Sequence, residues 1–168
     1  MFKQIILPIA AVVIFIIAVG IFVQKSSTLN LQNSPFTQPT ALPEKSINIG
    51  GKVIQTEIAD TEAKRTKGLS GITSLDTNSG MLFIFDTQKE SPVFWMKDMQ
   101  IPIDIIWIKD GKVVRIDKNT PIPAPGTPDN KLKTYSPGQT VDYVLEVNAG
   151  FSDQDGIKVG DSVDISKI

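Results

Sequence analysis

The chain has 168 residues, 41% of them hydrophobic, with a formal charge of −1: enough for one domain with a buried core, and no basic surplus to neutralise phosphates. Nucleic-acid binding therefore has no electrostatic support. With no histidine and no cysteine, the commonest general base, the thiolate nucleophile and the usual zinc and haem ligands are missing, and no cofactor is expected.

The stretch from Ile5 to Val23 carries no charge, and its length of about nineteen residues at 1.5 Å each approaches the thickness of a bilayer's hydrocarbon core. Residues 1–23 are predicted to form an N-terminal transmembrane anchor, bracketed by Lys3 and Lys25 and with Pro8 near its start, where a missing amide costs little. The alternative is a signal segment cleaved at Ala18-Val19-Gly20, which would release a secreted domain. A lipid anchor on cysteine is excluded. The short N-terminal flank orients that end inside, so the membrane is the first expected partner and the remaining domain is extracytoplasmic. Residues 24–45 are rich in Ser, Thr, Asn, Gln and Pro and show no period, the pattern of a disordered tether.

From residue 46 to 168 short apolar or alternating runs are separated by turn residues, which predicts a mainly β domain with one or two short helices. The expected strands are 47–49, 52–58, 81–85, 103–109, 112–117, 141–147 and 162–165. Gly50-Gly51 and Asp110-Gly111 have the spacing of tight hairpin turns. Asp60 to Leu69 is the expected helix, capped by Asp60 or Thr61 and closed by Gly68, and a weaker helical turn follows Ala149. Five prolines between Asn119 and Gly138 predict a long surface loop.

The most crowded segment is Phe94 to Asp104, where aromatic, sulfur, charged and proline side chains adjoin. Together with Arg65-Thr66-Lys67-Gly68-Leu69, Gly80 to Phe85, Val144 to Gly150 and Gly156 to Asp161, its Phe94-Trp95-Met96-Lys97 and Ile101-Pro102-Ile103-Asp104 runs resemble the DUF192 (UPF0127) family over nearly all of Ser46 to Ile168. The resemblance implies a compact β-sandwich or barrel-like domain, often behind a signal sequence or anchor, without an assigned activity. Where the family run resembles Trp-Met-Lys-Asn-Thr, this chain has Asp98 and Met99.

The leading expectation is a binding or accessory module with a ligand pocket lined by Arg65, Trp95, Met96, Lys97 and Asp104, serving an envelope glycan, a peptide or a membrane-protein partner. Arg65 is suited either to clamping a ligand carboxylate or to tying its helix to the sheet. Strict alternation turns Phe94 and Met96 one way and Trp95 the other, so that an aromatic platform of Trp95, Phe94, Trp107 and Tyr135 has a testable asymmetry. A second reading is an envelope glycan hydrolase using a pair drawn from Asp98, Asp104, Asp142 and Glu146. Against it, Asp104 would pair with Arg65 or Lys97, and Glu146 would lie on the solvent face of an alternating strand. A third reading is a structural assembly module. Met81, Met96 and Met99 form either a thioether copper site or core filling beside aromatic rings, the filling role being preferred, so no metal is expected. Asp153 to Gly156 lacks the later glutamate of a calcium loop and is taken as a turn.

Overall fold

The computed structural model describes residues 45–85 and 91–168. The anchor or signal segment expected over 1–23 and the tether over 24–45, apart from Lys45, lie outside the described residues, among which no helix is long and apolar enough to cross a membrane.

Among the described residues nine strands form: β1 (Ser46–Ile49), β2 (Lys52–Ala59), β3 (Ser79–Ile84), β4 (Phe94–Trp95), β5 (Ile103–Lys109), β6 (Lys112–Thr120), β7 (Thr134–Tyr135), β8 (Tyr143–Asn148) and β9 (Val163–Lys167). Two short α-helices among the same residues join them, α1 (Glu62–Lys67) and α2 (Phe151–Gln154). Seven strands make one sheet in the order β6-β5-β8-β3-β2-β1-β9, and β4 with β7 makes a separate two-stranded ribbon. The sandwich is therefore corrected to one large sheet of half-barrel form. Its edge strands meet at one end, where Val113 N–H donates to the Asp161 carbonyl at 2.9 Å and Val163 N–H to the Gly111 carbonyl at 2.8 Å. That contact leaves less of each edge free to pair with another chain.

The two hairpins occur as expected, Asp110 and Gly111 both taking the positive φ that such turns require. The expected helix is shorter, starting where the Thr61 side chain accepts from Lys64 N–H and ending at Gly68, whose φ of 49° and ψ of −139° suit glycine. The expected strands differ by a few residues at their ends, with β6 continuing to Thr120. The proline-rich stretch after it is largely irregular but contains a 3₁₀ turn at Asp129–Lys131 and β7.

Apolar side chains form two cores, one on each face of the sheet. Ile47, Ile49, Ile54, Leu82, Ile106, Leu145 and Val147 belong to the core inside the curve. Met81, Phe83, Met96, Ile105, Trp107, Tyr135 and Val144 belong to the other. The central strands β3, β5 and β8 therefore contribute to both, and their burial is nearly continuous instead of alternating. At roughly 1.5–3 kcal/mol per large apolar side chain removed from water, two cores sharing one wall are the main stabilising element of this domain.

Candidate functional site

The outer core is roofed by the β4–β7 ribbon. Phe94 enters it edge-on between Phe83 and Trp107, with ring centroids at 4.9 and 5.4 Å. Strand alternation then buries Met96 at 3% exposure and leaves Trp95 outside at 47%, the asymmetry expected of the segment. Trp107 is fully buried, and its indole N–H donates to Asp117 Oδ2 at 2.8 Å. Burial works against the Asp117 charge, but bonds from Arg115 and Trp107 outweigh it and hold the carboxyl below its usual range.

A concavity of about 300 Å³ lies between α1 and the segment leading through β4. Arg65 and Lys67 of α1, Phe83 and Phe85, Trp95, and Met99 are among its walls, and Glu146 reaches it from β8. Of the five expected pocket residues, the fold brings together Arg65 and Trp95 here. Arg65 is itself anchored: its guanidinium donates to the Ile84 carbonyl at 2.8 Å and to the Asp60 carbonyl at 3.1 Å, and it lies 5.7 Å from the Phe85 ring centroid. The tie between helix and sheet is thus formed, and it fixes the guanidinium at the rim.

The other three lie elsewhere. Met96 is in the outer core, its sulfur 3.4 Å from the Thr120 hydroxyl, which donates to the Ile103 carbonyl at 2.7 Å, and it contributes to a second concavity under the proline-rich loop with Tyr135 and Lys133. Lys97 forms an ion pair with Asp129 at 2.5 Å and sits 5.6 Å from the Trp95 ring centroid. Asp129, by hydrogen bond and by charge, raises its ammonium pKa above the usual lysine value. Asp104 is fully buried at the end of the sheet and pairs with neither Arg65 nor Lys97. Its carboxylate accepts from the backbone N–H groups of Asn119, Gly150 and Ser152 at 2.8, 3.1 and 2.9 Å, so it braces the β6 end and the start of α2.

Glu146 is the largest departure from the sequence pattern. Expected on a solvent face, it is 5% exposed, because the outer face carries a second core. Its cross-strand neighbours are Met81 on β3 and Ile105 on β5, and its Oε2 is buried with no hydrogen-bond partner. Burial without a cation raises its pKa from 4.5 to about 8, so it carries a proton at neutral pH. Asp104 aligns with Val147, the neighbour of Glu146 along β8, so the two carboxyls point to opposite faces of the sheet and do not form a catalytic pair. Among the described residues there is no group of three or more acidic side chains placed to hold a metal.

Asp98 has a φ of 56°, a left-handed conformation that asparagine and aspartate tolerate best among residues with a Cβ. Its replacement of the asparagine in the family-like run therefore preserves the turn. Met99 packs against the outer core and lines the concavity, so the second departure changes the wall itself.

Comparison with known proteins bears on the fold. A crystal structure of a protein of unknown function from Novosphingobium aromaticivorans DSM 12444 is similar, with a TM-score of 0.63 and 30% identity over 71% of this chain and 83% of that one. A protein from Sinorhizobium meliloti 1021, provisionally described as a transcription regulator, gives a TM-score of 0.64 and 25% identity over 73% of this chain and 94% of that one. No curated protein matches. The DUF192 family model (Uncharacterized ACR) matches residues 45–165, the span that includes both cores and the concavity, and the chain belongs to that family.

Proposed function

We propose that this protein is a membrane-tethered, extracytoplasmic binding or accessory module, which holds an envelope ligand in the concavity between α1 and β4. The uncharged stretch from Ile5 to Val23 and the polar, proline-bearing residues after it support the tether. The observation that carries the binding site is the convergence of Arg65, Trp95 and the buried Glu146 on one concavity whose walls mix aromatic with polar side chains. A few polar groups set in aromatic walls are the usual composition of a small-molecule site.

The test has two parts. In fractionated cells the chain is expected in the membrane fraction, with its domain digested when protease is added from outside; full protection of the domain would remove the extracytoplasmic reading. Full-length protein extracted from membranes is then denatured and the released small molecules are compared by mass spectrometry. Wild-type protein is expected to release a species that Trp95→Ala and Arg65→Ala do not. Identical release from all three would exclude this concavity.

A further inference from the structure

Glu146 has a polarity that the sheet does not use. Its strand neighbours are apolar, Oε2 lacks a partner, and the side chain lies where the concavity meets the outer core. A buried polar group left unpaired costs free energy in the empty state, and a ligand that pairs with it recovers that loss. We propose that the concavity takes an uncharged ligand presenting an adjacent C=O and N–H, a carboxamide or lactam edge on a small apolar body, which the Glu146 carboxyl meets with two parallel hydrogen bonds once it turns its buried Oε2 toward the concavity. The inference rests on the binding-site reading above and names the chemistry of its occupant.

Three observations select that chemistry. With its pKa raised to about 8, the carboxyl is a neutral acid that donates through O–H and accepts through C=O, the complement of an amide edge. An anionic group reaching Glu146 would meet an acceptor oxygen there, while the cations of the wall, Arg65 and Lys67, stand on α1, where the Arg65 guanidinium is held to the Ile84 and Asp60 carbonyls. A cationic amine would have to ionise Glu146 and bury an ion pair between Met81 and Ile105, at a desolvation cost that a neutral edge avoids. A volume of about 300 Å³ holds one ring with its substituent, or one amide-bearing side chain of a peptide.

The experiment uses the full chain in detergent micelles, labelled at methionine methyls and tryptophan indoles, with the Met99 methyl and Trp95 N–H followed by NMR. Benzamide, benzoate and benzylamine are titrated as probes that differ in one end group, and N-acetylglutamine methylamide serves as the peptide-like source of the same edge. One or both amides are expected to shift both signals and to bind about tenfold or more tighter than benzoate and benzylamine, a difference of one to two hydrogen bonds. Benzamide alone would assign the edge to a free ring, and the glutamine derivative alone to a peptide side chain; either supports the proposal. Glu146→Leu should remove the preference, while Glu146→Gln, which still offers a donor and an acceptor, should keep it within a few-fold. Benzoate or benzylamine binding as tightly as the amides would overturn the amide edge while leaving the binding site standing, as would loss of the preference in Glu146→Gln. If no probe moves either signal, both readings fall.

Discussion

At the scale of single residues, the two buried carboxyls show how differently one charge can be managed. Asp104 is satisfied by three backbone N–H groups, so its removal leaves three donors without a partner. Asp104→Ala is expected to cost about 3–5 kcal/mol in urea unfolding. Glu146 has no such donors and keeps its proton. Its folded pKa of about 8 lies above the unfolded 4.5, so the folded state binds more protons between those values. The resulting stability is complete below pH 4.5 and is lost as pH rises toward 8, by up to about 5 kcal/mol. Unfolding midpoints measured from pH 4.5 to 8 should fall for the wild type and stay nearly flat for Glu146→Gln. Asp117 acts in the opposite sense: its lowered pKa contributes stability that is present above pH 3.8 and lost on further acidification. Neither carboxyl's setting was legible in the sequence. Alternation along β8 identifies two faces but does not say that both are covered, and the three N–H groups facing Asp104 come from residues 15, 46 and 48 positions away.

At the scale of elements, local chemistry was the most readable. Thr61 and Gly68 mark the ends of α1 because a cap and an exit are properties of a few consecutive residues. Thr61→Ala should lower stability by about 1 kcal/mol in the same unfolding assay. The strands β4 and β7 escaped notice because two residues make no period, and their pairing joins segments separated by the whole β5–β6 hairpin. Gly80 carries a constraint of another kind: an added Cβ would stand 2.6 Å from the Glu146 carbonyl, with backbone instead of a movable side chain in its way. Gly80→Ala should therefore spread β3 from β8 and cost about 2–4 kcal/mol, with the exchange of β8 amides accelerating in hydrogen-exchange measurements.

For the whole molecule, composition and turn spacing were sufficient for a mainly β domain, whereas the curvature that brings β6 to β9 is a long-range property. The tryptophans report the outer core and the surface of its roof separately. Trp107 emission should be blue-shifted and resistant to acrylamide, and that of Trp95 should be quenched readily, as single replacements Trp95→Phe and Trp107→Phe would reveal.

Pairing between β1 and β9 also has a consequence in time. Ile49 meets Val163, 114 positions along the chain (163 − 49), so this contact carries one of the largest loop-closure costs in the domain. The hairpins β1–β2 and β5–β6 can assemble early from neighbouring residues, whereas β9 has no nearby partner and waits for both of the edges it joins. Folding should accordingly end with this strand, and replacements in it, such as Val163→Ala, should speed unfolding more than they slow refolding.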